Sequence, residues 1–494
     1  MVDQLAAGWL PAYGHAVVSS PSLDALAASG VVFESAYCPS PLCAPSRSAL
    51  LTGRPPSEIG VYDNAAELRA SEPTLMHRLR AAGYDTCLSG KMHFVGPDQL
   101  HGFEQRLTTD VYPADLDWTP DWRVPLSERL PWYHTMESVL TPGVCAASMQ
   151  MDYDDEVAHR AVRKLRDLAR DPARPFFLCV SFTNPHDPWE LRPEYWDRYD
   201  PAEIELPAVG LLPRADADPH SLRLRDMSGI DEVSLSDEQV RRARHAYYAA
   251  ISYVDERIGE VLGALSATGL DDDTIVLFTA DHGEMLGERG LWYKMAFFEP
   301  AARVPLIVSA PPRFAAGRVG EPVSLLDVVP TVLELCGVEG GGRSLAGALE
   351  GSSLEAADVA VEYLAEGVRA PAVMLRRGRF KYVWCADDPE LLFDLQADPL
   401  ELVNRAPSER ELCASFRAEV ERRWDMPALA ATVLRSQEDR RLVVDALNTG
   451  RPASWSFVPP AGAEAVQGKE DLYEFQRRAR LDAPASVRGG RVSR

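Results

Sequence analysis

Apolar runs rich in Val, Ile, Leu and Phe alternate with helix-like stretches through the first two thirds of the chain. Ser20-Pro21 opens a helix that closes at Gly30, with proline at its first position. VVFESAY (31–37) follows as a strand. A helix through LMHRLRAAG precedes the strand YDTCLSG (84–90), and an amphipathic segment from Asp154 to Arg170 precedes PFFLCVSF (175–182). A long helix starts near Ser236, with Gln239 three residues on as a capping box. It leads to TIVLFTA (274–280) and then to VPLIVSA (304–310). β-Branched runs separated by helices predict the α/β class: a large, mostly parallel sheet sandwiched by helices, with its site at the carboxyl ends of the strands.

The pattern divides the chain into three parts. Residues 1–365 form the α/β domain. Residues 366–450 form a smaller α+β subdomain, in which VMLRRGRFKYVWC is a hairpin around Arg377-Gly378 and LLFDLQADPLELVN turns into helix. Residues 451–494, richer in Pro, Gly and Ala, form an extended tail suited to an oligomer contact. Asp3 stands where an α/β sheet places a ligand-binding carboxylate, after a first strand that is missing here. A coding start upstream of Met1 is the expected reason.

Composition narrows the class. With 46% hydrophobic and 25% charged residues the chain is a folded, soluble one. No run of about 18 apolar residues occurs, and the N-terminus lacks a signal peptide's basic start and apolar centre, so a cytoplasmic location is expected. The net charge of −23 argues against nucleic acid or an anionic membrane as partner. The eight cysteines have no CxxC or zinc-finger spacing, which predicts free, mostly buried thiols.

Cys43 is the exception. In Pro41-Leu42-Cys43-Ala44-Pro45-Ser46-Arg47 it lies just before a helix whose first amides favour an anion, and Arg47 is one turn on. A buried thiol or a low-pKa redox thiol are the other readings of that segment. Asp281-His282-Gly283 follows TIVLFTA, so two ligand types project from a strand end. With Asp3 and the amide oxygen of Gln4 they outline a divalent-cation site. Lys91 and His93 follow YDTCLSG, His186 follows PFFLCVSF, and Lys294 lies in LWYKMAFFE.

C-x-P-S-R followed by LTGR resembles the signature of the sulfatases, in the alkaline phosphatase superfamily. The resemblance implies that fold, and a separate enzyme that oxidises Cys43 to formylglycine. A thiolate attacking sulfate would leave a stable ester, whereas an aldehyde hydrate attacks through one oxygen and ejects sulfate through the other. It also implies one divalent cation, Ca2+ first and Mn2+ or Mg2+ next, the less acidic site with Gln4 leaving that order open. Lys91 and His93 match the GKxH element, in which the Lys holds sulfate and the His assists the second step. His186 and Lys294 match the residues that face the leaving-group oxygen and the sulfate.

The runs YDNAAE, DWTPDW, NPHDPW and DHGEMLGERGLWYKMAFFE look most like the choline-sulfatase group. That likeness implies choline O-sulfate as substrate, Trp118 as a choline-contacting aromatic with Trp122 a weaker second, and Asn64 and Glu366 as partners. It also implies a homo-oligomer, a dimer or tetramer. After TGRPASWSFVPP the group's polar tail element is not recognisable, which puts the subunit-bridging lid and strict choline specificity in question. The alternatives are another alkyl or aryl sulfate, a phosphonate monoester or phosphodiester, and a silent binding protein.

Overall fold

The computed structural model describes residues 1–112, 115–125, 128–311 and 313–450. In chain order the elements that build the body are α1 (Pro21–Ser29), β1 (Val31–Tyr37), α2 (Cys43–Thr52), α3 (Leu75–Ala81), β2 (Asp85–Gly90), α4 (Met149–Arg170), β3 (Phe176–Ser181), α5 (Asp237–Ala267), β4 (Val276–Thr279), β5 (Arg303–Ser309) and β6 (Val323–Ser324). The capping box at Ser236 and Gln239 forms as its spacing implies. α4 starts five residues earlier than the amphipathic pattern places it, at Met149, and buries Gln150 and Met151.

Strands β2 and β3 run parallel, joined by residues 105–106. β6, β1, β5 and β4 lie side by side in that order, and residues 317–319 also pair with β1. The class is the α/β sandwich expected, but β5 runs antiparallel to both β1 and β4. No crossover helix separates β4 from β5. The chain leaves the carboxyl end of β4, traverses 280–302 and re-enters at the same end, a return that only an antiparallel strand allows.

Met1 and Val2 tie the two groups of strands together. The amino group of Met1 donates to Val180 O (2.7 Å) and Phe182 N donates to Met1 O (3.0 Å). Val2 N donates to Thr279 O (3.1 Å), in a parallel bridge with Ala280. Asp3 therefore emerges beside the residues that follow β3 and β4.

Helices cover both faces. α4 packs on β2 and β3 and against α5. On the other face Leu75, Met76 and Leu79 of α3 close over Leu88 together with Val329 and Leu333. Two glycines allow close approach where the chain turns into the site. A Cβ on Gly90, at φ +118°, would lie 1.9 Å from Ser181 O, and one on Gly283 would lie 2.0 Å from Pro300 O.

A four-stranded antiparallel sheet follows: β7 (Val359–Tyr363), β8 (Ala372–Arg377), β9 (Phe380–Cys385) and β10 (Leu391–Asp394). β8 and β9 are the hairpin read around Arg377-Gly378. The residues after β10 are not helical, contrary to the expectation for LQADPLELVN. Pro399 disfavours helical backbone at Asp398, and α6 begins only at Arg410 (Arg410–Arg423). It packs Phe416 face to face on Tyr382, ring centroids 5.1 Å apart. α7 (Met426–Leu447) then returns to the body. The tail from Arg451 lies outside the described residues. Among the described residues no helix is long and apolar enough to cross a membrane. The eight cysteines are unpaired.

Candidate active site

Chain order scatters the candidate catalytic and metal residues from Asp3 to Lys294, and strand ends gather most of them. Asp3 follows the Met1–Val2 bridge, Lys91 and His93 follow β2, His186 follows β3, and Asp281 and His282 follow β4. Cys43 is the first residue of α2 itself, two residues earlier than a helix started by Pro45.

Asp3, Cys43, Asp281 and His282 each offer a donor atom within 4.8 Å of the others, all buried. Cys43 Sγ lies 3.1 Å from His282 Nε2 and 3.8 Å from Asp3 Oδ1. His282 Nδ1 donates to Gly283 O at 3.0 Å, which turns the lone pair of Nε2 toward Cys43. Asp281 Oδ1 accepts from the backbone N of His282 (2.9 Å) and of Gln4 (3.0 Å).

Arg47 locks this cluster. Its Nε donates to Asp281 Oδ2 at 2.7 Å, and its Nη1 donates to Lys91 O (2.6 Å) and Ser181 Oγ (2.9 Å). Nη2 stands 3.3 Å from Asp3 Oδ2, which also pairs with Lys91 Nζ. Burial alone would raise the Asp3 carboxyl, but Lys91 and Arg47 outweigh it and hold the group well below the carboxylate range. Lys91 Nζ also lies 4.3 Å above the Tyr112 ring.

A second group faces the first. Lys294 Nζ is 2.7 Å from His186 Nε2 and 2.6 Å from Gln4 Oε1. Burial, reinforced by Lys294, holds the His186 imidazole well below its usual range. Burial would lower Lys294 too, but Cys43, Asp187 and Asp3 reverse it and raise the amine. Lys294 is thus the charged donor and His186 the neutral acceptor, with His186 Nδ1 donating to Asp187 O at 2.6 Å.

Gln4 Nε2 donates to Glu284 Oε2 (2.5 Å) and Asp187 Oδ1 (3.3 Å). The Gln4 side chain therefore reaches toward Lys294 and Glu284, while its backbone N holds Asp281. Burial pushes Glu284 up to about 7.

The outer residues are more open. His93 is buried, but neither ring nitrogen has a partner. Asp110 accepts the backbone N of Met92 and His93 and fixes that turn. Trp118 is half-buried, edge-on to His93 at 5.8 Å and stacked on Trp132 at 6.5 Å. Asn64 Oδ1 accepts from Ala44 N (3.0 Å), at the head of α2. Glu366 is buried with Oε2 unpartnered, and burial pushes its carboxyl up to about 7. Trp122 is anchored otherwise: its Nε1 donates to Ala365 O (2.8 Å) and its backbone N to Gln437 Oε1 (3.1 Å). It braces the strand end that carries Glu366. Cys43 is 1% exposed, His93 3% and His186 8%, and Trp118 is half-buried.

Several site residues are absent from the sequence reading. His134 sits 4.7 Å, ring to ring, from Tyr293 and forms a donor trio with His186 and Asp187. Burial, reinforced by Lys294, holds its imidazole well below its usual range. Asp154 accepts from Thr183 N, Asn184 N and Asn184 Nδ2 (2.7–2.9 Å) and so fixes the turn leading to His186. Tyr112 belongs to no motif that marks it as a site residue. A dense aromatic run at Trp132-Tyr133-His134 was the signal available for His134.

A family model described as Sulfatase matches residues 1–338. The choline-sulfatase of Rhizobium meliloti (strain 1021) is 48% identical over 476 residues, covering 93% of this chain and 92% of its own. An arylsulfatase of Clostridium perfringens (strain 13 / Type A) is 29% identical, covering 83% and 89%. Among solved structures, a phosphonate monoester hydrolase of Agrobacterium radiobacter overlays with a TM-score of 0.68 at 27% identity, covering 88% of this chain and 95% of that one.

Proposed function

The chain belongs to the sulfatase family, and from that premise we propose that it hydrolyses choline O-sulfate to choline and sulfate through a formylglycine made from Cys43. One observation carries the reading. Cys43 heads α2 between an acidic donor set, Asp3, Asp281 and His282, and a cationic one, Lys91 and Lys294.

The donor set fits a divalent cation. Two buried carboxylates converge with a neutral imidazole whose lone pair points inward, and Arg47 and Lys91 engage only one oxygen of each acid. Asp3, Asp281, His282 and the oxidised side chain at position 43 would hold it. Gln4 we assign to Lys294, which its amide oxygen already accepts from. When bound, the cation lowers the pKa of the nucleophilic oxygen and offsets charge on the sulfuryl group. Formylglycine, as its hydrate, supplies an oxygen nucleophile that can reform a carbonyl.

The remaining steps belong to the chain's own groups. The amides at the start of α2 and the guanidinium of Arg47 favour negative charge beside position 43. Lys91, steadied by Asp3 and the Tyr112 face, presents its ammonium to a sulfate oxygen. Lys294 holds the transferable proton, because His186 is neutral with its Nε2 lone pair occupied. Proton delivery from Lys294 offsets the poor leaving ability of an aliphatic alkoxide. His93, with both ring nitrogens free, can take the proton from position 43 when sulfate departs.

A quaternary ammonium forms no hydrogen bond and prefers aromatic faces and a nearby carboxylate. The stacked Trp118 and Trp132, with the unpartnered oxygen of Glu366, supply both. The 48% likeness to a choline-sulfatase supports the same substrate. The likeness to a phosphonate monoester hydrolase supports a second reading, in which a tetrahedral phosphorus ester enters the same site.

The test pairs two measurements on chain made with and without a formylglycine-installing enzyme: the mass of the peptide spanning Cys43, and kcat/KM for choline sulfate, an aryl sulfate and a phosphodiester. Activity should track conversion, and choline sulfate should be preferred. Full activity with an unmodified cysteine would end the mechanism, and preference for the phosphodiester would favour the second reading.

A further inference from the structure

We propose that the chain, before Cys43 is oxidised, holds a thiophilic, four-coordinate cation such as Zn2+ or Co2+, bound by the Cys43 thiolate, His282 Nε2 and one carboxylate oxygen each from Asp3 and Asp281. The proposal rests on the four donor atoms and on no assumption about the substrate.

The distances carry it. Zinc bonds to sulfur at about 2.3 Å and to nitrogen or oxygen at about 2.0–2.2 Å, so neighbouring donors of a tetrahedral site lie about 3.3–3.6 Å apart. Here Cys43 Sγ to His282 Nε2 is 3.1 Å and Cys43 Sγ to Asp3 Oδ1 is 3.8 Å. His282 Nε2 to Asp3 Oδ1 is 3.6 Å, and to Asp281 Oδ2 3.8 Å. All four donors fall within 4.8 Å of one another. Four contacts scattered about the tetrahedral spacing leave room for one small ion at their centre, with little movement of any side chain.

The surroundings of each donor agree. His282 Nδ1 is tied to Gly283 O, which sets the tautomer a metal ligand needs. Asp281 Oδ1 accepts from two backbone amides, and Oδ2 accepts from Arg47 Nε through one lone pair, so the second lone pair of Oδ2 is the one that would face the ion. Asp3 Oδ2 is taken by Lys91, leaving Oδ1. On binding, the Cys43 S–H bond breaks, its proton leaves to solvent and an S–metal bond forms, with no change of oxidation state. The thiolate and two carboxylates set three negative charges against the four positive charges of the ion, Arg47 and Lys91.

Hardness then separates two states of the chain. A thiolate favours Zn2+ and Co2+ over Ca2+ and Mg2+. Replacing sulfur by the oxygens of a hydrated aldehyde makes the set one of hard donors and reverses that order. The side chain at position 43 thereby selects the cation.

The experiment uses full-length chain made without a converting enzyme, stripped by chelator, with no substrate present, so its result is independent of the choline reading. Titration with Co2+ should give a thiolate-to-metal charge-transfer band in the near ultraviolet and intense visible bands of four-coordinate cobalt, saturating at one equivalent. Zn2+ should bleach them stoichiometrically, and a large excess of Ca2+ should not. Cys43→Ser should lose the charge-transfer band and weaken Zn2+ binding, and fully converted chain should lack the band. The wild-type spectrum needs no variant to fold. A weak six-coordinate spectrum without charge transfer, displacement by equimolar Ca2+, or undiminished Zn2+ affinity in a folded Cys43→Ser chain would each overturn the proposal.

Discussion

Arg440 of α7 meets Asp63 in a two-pronged ion pair, Nη1 to Oδ1 at 2.6 Å and Nη2 to Oδ2 at 2.7 Å. Asp63 is fully buried, and its neighbour Asn64 accepts the amide of Ala44, the residue after Cys43. Helix α7 thus holds the wall beside Cys43. Arg440→Met leaves an uncompensated buried carboxylate and should cost about 3 kcal/mol in urea unfolding. Asp63→Leu in the same chain should restore most of it. A single-mutant cost below about 1 kcal/mol would mean that the pair does not hold this wall.

Removing the sulfur tests the nucleophile. Cys43→Ala should abolish turnover while leaving the far-ultraviolet circular dichroism unchanged, because helix α2 needs no side chain at its first residue. A retained tenth of wild-type kcat is a loss of only about 1.4 kcal/mol in barrier and would remove Cys43 from that role.

If choline sulfate is the substrate, as proposed, Glu366 should make its binding depend on pH. The carboxyl sits at about 7 in the folded chain, against 4.5 for a free one, because burial disfavours its charge. Only the charged form attracts a quaternary ammonium. KM for choline sulfate should therefore fall as pH rises through 7, and KM for an uncharged alkyl sulfate should not follow it. The same shift sets a stability slope: between pH 4.5 and 7 the folded state holds a proton that the unfolded state has released. Stability should fall as pH rises through that window, by up to about 3 kcal/mol from this group. Glu366→Gln should flatten both curves, and unaltered curves would exclude Glu366 as the ammonium's partner.

Trp118 should discriminate by charge. Trp118→Ala should weaken choline sulfate by a factor of about 2 to 30, corresponding to about 0.5–2 kcal/mol of cation–π attraction. An isosteric neutral sulfate should lose less. Equal losses in kcat/KM for the two would leave Trp118 a packing residue.

The strand ends at Gly90, Ser181 and Thr279 were legible because each depends on local pattern and short-range geometry, whereas α2 starts at Cys43, two residues before the Pro45 that marks a helix start in the sequence. The α/β rule then brings Asp3, Lys91, His186 and Asp281 to one edge without further information. Departures arise where a distant contact overrides the local signal. β5 reverses because the chain from Asp281 to Ala302 returns at the end it left. Gln4 turns to Lys294 because Glu284 and Asp187 draw its amide nitrogen. Trp122 is drawn into packing by Ala365 and Gln437, which lie more than 240 residues away in sequence.

By itself the sequence determined the elements, the edge at which they end, and the chemical kinds of side chain delivered there, since periodicity, capping and strand polarity act within a few residues. The tertiary structure alone decided which of those side chains pair. The neutral state of His186, the raised carboxyls of Glu284 and Glu366, and the grip of Arg440 on Asp63 follow from burial and from charges supplied by remote segments. Their energies depend on distances between side chains that no local pattern encodes.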